Sequence, residues 1–463
     1  MKTPSQSKIL KGLHTLLLGG ALFFSKANAA DTFIRGDSNS DGRVNIADVI
    51  NNLNHLYQST PINCPDAADI NDDGKVNLED PVLALNYSFK GGQKPAEPFP
   101  EKGYDITKDN LDCNGQGDLE KIIEIRQENM PLTINESGTR SNPIYFLLRE
   151  EVRSPETAIK VNGNNLIIDG NKQKLIYGEE NSRGVYGIHV KNRENVAIKN
   201  LEVHSAIFGQ GQSADIFLQN VTNAEVIGNT LSNTTELWGK GIQLEGSNNI
   251  TLERNNIVTY GRFGNGIDIK NSHDSKFKDN KIIAVGESAH GIELNESSKN
   301  DFRNIDVNAP GFLARGISVL GNSDGNSFHD SVIDAPSLYD IVFTTDASGT
   351  LKIANTQLGR AALVGSDKAK LEVQWYLDAI VKDKNSTLEG AKVEIYNDNK
   401  SIALSTNNYG RIPRQELPSF VQTMHEKKNE YPYFIRISKS EYKTLNTQFD
   451  LDGNKDLEFK LEK

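Results

Sequence analysis

The sequence predicts a mainly β chain. A solenoid of short parallel strands is its body, with a small α-helical calcium-binding module before it and an antiparallel β-sandwich after it. Three observations predict this. First, Gly241-Ile242, Gly266-Ile267, Gly291-Ile292 and Gly316-Ile317 recur with their isoleucines 25 residues apart (267−242, 292−267, 317−292), and two residues after each comes Leu244, Ile269, Leu294 or Val319. A fixed period in the twenties, with alternating strands and Asn/Gly/Asp turns, marks stacked coils: one repeat cannot bury its apolar face alone, so neighbours share a core. Second, two Asp/Asn-rich loops of twelve residues lie upstream. Third, after Ile353 the period stops and strand-like alternation continues without it.

A chain of 463 residues has room for two or three domains. The expected division is 1–29 signal peptide, 31–113 calcium module, 114–365 coil and 366–463 sandwich. Lys+Arg 51 against Asp+Glu 62 gives a net charge of −11, which disfavours nucleic acid or an anionic membrane as partner. Lys2, Lys8 and Lys11 precede the short apolar run Leu13–Phe24 and the small-x-small site Ala27-Asn28-Ala29, the pattern of a secretory signal cut after Ala29. No other run is long enough to span a membrane, so a secreted, extracellular or cell-surface protein is expected. In an oxidising compartment Cys64 and Cys113 read as one disulfide.

The first upstream loop is Asp37-x-Asn39-x-Asp41-Gly42-x-x-Asn45-x-x-Asp48, and the second is Asp69-x-Asn71-x-Asp73-Gly74-x-x-Asn77-x-x-Asp80. Oxygen side chains at positions 1, 3, 5 and 12, with Gly at 6 for the sharp turn, are the spacing of an EF-hand calcium loop. Apolar residues follow at helical spacing: Val49, Leu53 and Leu56, then Val82, Leu85 and Phe89. One helix after each loop, duplicated, resembles the type I dockerin family over roughly 60 residues. The resemblance implies one Ca²⁺ on Asp37, Asn39, Asp41, the Arg43 carbonyl, Asn45 and Asp48. It implies a second on Asp69, Asn71, Asp73, the Lys75 carbonyl, Asn77 and Asp80. It also implies a cohesin-like or cell-surface protein partner. Dockerins commonly carry a small polar pair after loop position 9, and Ile46-Ala47 and Leu78-Glu79 depart from it.

The coil opens with Pro143–Leu148, Thr157–Val161 and Asn165-Leu-Ile-Ile-Asp-Gly-Asn171. This opening resembles right-handed parallel β-helix proteins of the polysaccharide lyase and hydrolase kind. Residues 118–129 are expected to form a cap helix over the open end, since an uncovered coil edge invites pairing with another chain. A second strand column runs Val196/Ile198, Ala224/Val226, Ile250/Leu252, Ser275/Phe277, Phe302 and Phe328. Asparagines at the turns, among them Asn195, Asn223, Asn249, Asn229, Asn255, Asn280, Asn300 and Asn326, are expected to stack as amide ladders.

Substrate grooves in β-helix enzymes run along the outward face of one strand column, and the residue after each repeating Ile points outward. That column reads His189, Phe217, Gln243, Asp268, Glu293, Ser318, and the residues before each Gly read Tyr186, Ala214, Lys240, Asn265, His290, Arg315. The middle coils therefore carry Lys240, Asp268, His290, Glu293 and Arg315, the candidate catalytic residues, on coils about 4.8 Å apart. Elimination across a uronic acid needs a positive centre at the carboxylate and a base for the C5 proton. Arg315, or a Ca²⁺ held by Asp268 and Glu293, suits the first role, and Lys240, Lys270 or His290 the second. Glycoside hydrolysis instead needs two carboxyl groups, for which Asp268 and Glu293 are the pair. The expectation is an exported polysaccharide-active enzyme, a lyase ahead of a hydrolase. The alternative is a non-catalytic carbohydrate-binding or adhesion rod.

Downstream, Leu371–Val381, Ala391–Ile395, Ile402–Ser405, Tyr433–Ile437 and Leu457–Leu461 alternate as strands. Trp375-Tyr376-Leu377, Val381, Leu388, Gly390-Ala391, Val393 and Asn408-Tyr409-Gly410 resemble the carboxypeptidase regulatory-like β-sandwich family. Such modules cap, space or bind.

Overall fold

The structure is a computed structural model that describes residues 33–463 except 101, 104, 106, 108–110, 112, 114–121, 141, 208, 209, 338 and 361. The expected signal segment 1–29 lies outside the described residues.

Three helices lie near the N-terminus: α1 (Ile46–Gln58), α2 (Pro65–Ala68) and α3 (Glu79–Lys90). Helix α1 starts on a capping box, with Asn45 Oδ1 accepting from the Ala47 N–H at 2.9 Å and Asp48 accepting from the Asn45 N–H at 2.8 Å. Both long helices stop at a left-handed residue, Ser59 (φ 54°) and Gly91 (φ 63°). Val49, Ile70 and Ala84 form the core between them, with Leu53, Leu83 and Leu85 against it. Val82 and Phe89, whose spacing marks the helix, face outward. Their inner-face places on α3 go to Asp80, Pro81 and Ala84, since the last loop residue must turn back into its own loop. Cys64 and Cys113 are joined in a disulfide that packs with Phe33 and Ala67.

The body of the chain is a β-solenoid of three parallel sheets. One carries the Ile188/Ile216/Ile242/Ile267/Ile292/Ile317/Ile341 register and has ten strands among the described residues. It is called the face sheet below. A second contains Ile198, Val226, Leu252, Phe277, Phe302 and Phe328 in register, and there the three phenylalanines stack with ring centroids 4.2 Å apart at both steps. The third sheet, Val203, Leu231, Ile257, Ile282, Val307 and Ile333, was not resolved by the two-column reading, although it keeps the same period. All three apolar columns meet in one core along the axis.

The Gly-Ile repeat has a steric cause. A Cβ on Gly291 would lie 2.7 Å from the Gly316 carbonyl oxygen and would overlap a Val307 methyl of the third sheet. Gly266 stands in the same relation to Gly291 and Ile282. The coil closes there only without a side chain. At the turns the amide ladders form: Asn229 donates to Asn255 at 3.0 Å, Asn255 to Asn280 at 2.9 Å, and Asn300 to Asn326 at 3.0 Å. The expected cap helix over 118–129 is corrected. Ile122–Ile125 is a strand that pairs with Ile144–Leu148, and Gln127–Asn129 is one 3₁₀ turn. The alternation of Ile123 and Ile125 lets the first coil extend the sheet instead of breaking it.

At the other end, the strand Ala369–Lys382 carries one sheet of the solenoid into the C-terminal region. Residues 369–374 run parallel to Gly349–Ala354 of the solenoid, residues 371–377 pair antiparallel with Gln415–Gln422, and residues 377–382 run parallel to Lys455–Lys460. A four-stranded antiparallel sheet (Lys392–Tyr396, Ser401–Ser405, Tyr433–Ser438, Leu445–Phe449) packs against it through Leu377, Ala379, Val381, Val393, Ile395, Ile435 and Ile437. Among the described residues, no helix is long and apolar enough to cross a membrane.

Candidate functional site

Each Asp/Asn loop wraps around its first and last carboxylates. Asp37 accepts from the Asp41 N–H at 3.0 Å and the Gly42 N–H at 2.8 Å, and Asp48 from the Asn39 N–H at 3.2 Å. The second loop repeats this: Asp69 takes Gly74 N–H at 2.7 Å, and Asp80 takes Ile70 N–H and Asn77 N–H, both at 2.8 Å. Asn39, Asp41, Asn71 and Asp73 line the turns, while Arg43 and Lys75 follow the Gly. Asn45 accepts from the Ala47 N–H, and Asn77 from the Glu79 N–H at 2.8 Å, so both side chains serve the helix starts. Asp37, Asp48, Asp69 and Asp80 are buried. Burial raises the Asp48 carboxyl above its usual range and pushes Asp80 up to about 6, against hydrogen bonds that favour the charge. Among the described residues no three such acidic, His or Cys groups close around a metal position. The donor set is all oxygen and contains buried carboxylates lacking a counter-charge, which fits a hard cation such as Ca²⁺.

Behind the second loop lies a residue that sequence reasoning missed. Arg35 is fully buried and donates to the carbonyls of Asp66 (2.9 Å), Asp69 (2.8 Å) and Glu97 (2.8 Å) and to the Asp105 carboxylate (3.1 Å). It also pairs with Asp72 at 2.9 Å. It ties Glu97 and Asp105 to loop two. A lone Arg outside any motif gives no signal of this in one sequence.

On the face sheet the five candidates fall on consecutive coils in the expected register: Gln243↔Asp268, Asp268↔Glu293, Glu293↔Ser318, and His290↔Arg315. Lys240 and Asp268 form an ion pair. Asn265 Nδ2 bridges the two carboxylates, 3.2 Å from Glu293 and 3.4 Å from Asp268. Its Oδ1 accepts from the His290 N–H at 3.1 Å. His290 Nε2 lies 3.9 Å from the Glu293 carboxylate. Arg315 Nη1 donates to Ser318 at 3.0 Å, and its buried Nε finds no partner among the described residues. Lys270, two residues after Asp268 on the same strand, is exposed. Asn265 and Ser318 belong to the same outward columns as the candidates, so their position was legible. Their bridging role follows only from the coil stacking.

Burial and charge separate these groups. Burial, helped by the Arg315 charge, lowers the His290 pKa to about 4, so the imidazole is neutral near pH 7. Burial and the neighbouring Asp268 charge raise Glu293, opposed by Lys240. Asp268 has the Lys240 ammonium beside it, so the positive charge at that carboxylate comes from the chain itself. Toward the first coils the face turns aromatic: Tyr186, His189 and Phe217 pack with centroids 4.8–5.0 Å apart.

Comparison with protein families matches a dockerin type I domain over residues 35–87 and a right handed beta helix region over residues 156–333. The chain thus carries a dockerin type I domain followed by a right-handed β-helix. Dockerin type I domains bind calcium, and their partners are cohesins. No match was found among curated proteins. Among solved structures, the chain is similar to the periplasmic alginate epimerase AlgG, at 13% identity and TM-score 0.35, covering 55% of this chain and 82% of that one. It is also similar to an alginate lyase from Paenibacillus sp., at 13% identity and TM-score 0.31, covering 53% and 89%. A rhamnogalacturonan lyase matches at 13% identity and TM-score 0.31, covering 51% and 65%.

Proposed function

We propose that this is an exported polysaccharide-active protein that cleaves a uronic-acid polymer by elimination on the face sheet, and that its dockerin domain attaches it to a cohesin-like partner. The observation that carries the reading is the convergence of a neutral imidazole, a carboxyl that burial pushes toward its protonated form and a guanidinium on neighbouring coils. Arg315, with an unsatisfied Nε, pairs with the substrate carboxylate and stabilises the charge that develops on it. His290, neutral at working pH, takes the C5 proton. The C4–O4 bond breaks as the C4=C5 bond forms, and Glu293 gives its proton to the departing oxygen. The Lys240–Asp268 pair and Asn265 fix Glu293 in place. Calcium sits in the two N-terminal loops, on Asp37, Asn39, Asp41, the Arg43 carbonyl, Asn45 and Asp48, and on Asp69, Asn71, Asp73, the Lys75 carbonyl, Asn77 and Asp80. The duplicated apolar stripes Ile46/Ile50/Tyr57 and Leu78/Val82/Phe89, all exposed, are the surfaces for the protein partner.

The test is incubation with alginate, polygalacturonate and glycosaminoglycans, reading both the ultraviolet absorbance of unsaturated uronate and new reducing ends. Elimination gives both signals. Reducing ends without absorbance would favour a second reading, retaining hydrolysis with Glu293 as acid and Asp268 as nucleophile. That reading is supported by the shared Asn265 contact, which keeps the carboxyls close. Neither signal on any polymer, with binding intact, sinks both and leaves the carbohydrate-binding rod.

A further inference from the structure

We infer that the rim of the face sheet is a stacking ledge for sugar rings, ending in a pocket that takes one carboxylated residue of the same polymer. The inference rests on the polysaccharide reading above and adds how the chain is held. Each middle coil enters the face sheet through one residue in the left-handed region: Trp238 (φ 57°), Phe263 (φ 59°), Ser288 (φ 54°) and Leu313 (φ 58°). Each lies two residues before Lys240, Asn265, His290 or Arg315, so the ledge runs alongside the candidate site coil by coil.

That conformation costs a residue with a side chain about 1–2 kcal/mol, and Gly or Asn is its usual occupant. Many other turns of this rod follow the rule, with Asn at 192, 195, 220, 223, 249 and 304, and the exceptions there, such as Lys172, Arg254, Glu296 and Lys299, are polar. On this rim three of the four are large and apolar, and Trp238 is 45% exposed. Trp238 and Leu313 thus combine a strained backbone with exposure, while Phe263 is half-buried. The Trp238 and Phe263 rings lie nearly parallel (18°) with centroids 6.1 Å apart. Arg262 sits over Phe263 at 4.8 Å and is held by Glu287 at 3.1 Å. The result is an exposed aromatic face at Trp238 backed by the half-buried Phe263 on the adjacent coil, and the C–H face of a sugar ring is complementary to it.

Toward the N-terminal coils the same column continues as Gln212 and Gly184, by the register Val185↔Ser213↔Gly239 one residue on. A Cβ at Gly184 would meet nothing within 4 Å. There the ledge falls into a pocket of about 340 Å³ lined by Arg183, Gly184, Gly211, Gln212 and Trp238. An exposed guanidinium can bind a carboxylate through paired N–H donors, the Gln212 amide serves hydroxyls, and the indole forms a wall. Those are the recognition elements of one acidic sugar.

The test uses Trp238→Gly, which the left-handed backbone accepts, with Arg183→Ala and Phe263→Ala beside it. Binding of full-length chain to alginate, polygalacturonate and neutral dextran is read by affinity electrophoresis, with denaturation midpoints alongside. Trp238→Gly is expected to weaken binding of the acidic polymers roughly tenfold, on the scale of one lost aromatic contact, without lowering the midpoint. Arg183→Ala should weaken alginate and polygalacturonate and leave any dextran binding unchanged. Native-like binding by both variants, or a weakening matched by a lower midpoint, overturns the ledge. The two readings fail separately. Cleavage with native KM in Trp238→Gly removes the ledge and keeps the chemistry, while Trp238-dependent binding without cleavage does the reverse.

Discussion

His290 and Glu293 lie three residues apart on one strand, and burial moves their protons in opposite directions. The imidazole, faced by Glu293, Asp268 and Arg315, is held neutral down to about 4, whereas the carboxyl is held toward its protonated form. The direction of a pH profile follows. The base is active only when deprotonated, so kcat/KM should be retained as pH falls from neutrality and be lost through about pH 4. The upper limb should follow the ionisation of Glu293, which burial and the Asp268 charge move above the ordinary carboxyl range. A profile that instead falls near the ordinary histidine value would show that burial and Arg315 do not lower the His290 pKa. His290→Ala should cost on the order of 10²–10⁴ in kcat, read from initial rates, and Arg315→Ala should raise KM for the acidic polymer as well as lower kcat.

At the scale of the element, the coil is set by what cannot be accommodated as much as by what packs. Gly291 faces Val307 and the Gly316 carbonyl, so Gly291→Ala forces the third sheet outward. The expected cost is about 1–3 kcal/mol, visible as a lower midpoint in denaturant, with no comparable loss for Gly453→Ala in the C-terminal region, where a Cβ would meet nothing within 4 Å. Serines add a ladder that the asparagine columns did not foretell. The Ser272 hydroxyl accepts from the Ser247 N–H at 2.9 Å and the Ser297 hydroxyl from the Ser272 N–H at 3.2 Å. Buried turns thus satisfy their backbone donors along the axis. Serine is common enough in any loop that its 25-residue recurrence stands out only once the coils are stacked.

Across the whole molecule, stability is divided among unlike devices. The solenoid shares one long apolar core, while the small N-terminal module relies on Arg35, the disulfide and its loops. Closing 49 residues of sequence contributes about 4 kcal/mol on the chain-entropy model. Chelating calcium should therefore lower the melting transition of the N-terminal module and leave that of the solenoid unmoved, as read by calorimetry. Asp37→Ala with Asp69→Ala should abolish calcium uptake in equilibrium dialysis. Full stoichiometry in that double variant would remove these loops as the binding sites.

The sequence by itself determined the coil, its register and the duplicated loops, because each is written in a spacing: 25 residues between isoleucines, and oxygen side chains at fixed loop positions. It also placed Lys240, Asp268, His290, Glu293 and Arg315 on one face, since outward alternation plus a constant period leaves them nowhere else to go. Only the tertiary structure decided how those groups pair. Lys240 reaches Asp268 across one coil, and Asn265 spans two carboxylates. It also decided that α3 turns Val82 and Phe89 outward, that Ile122–Ile125 is a strand, and that Arg35 is the hub of its module. The physical reason is the same in each case. Periodicity fixes which way a side chain leaves the backbone, but burial, ion pairing and strand addition depend on what the neighbouring coil or loop presents, and that is not local in the chain.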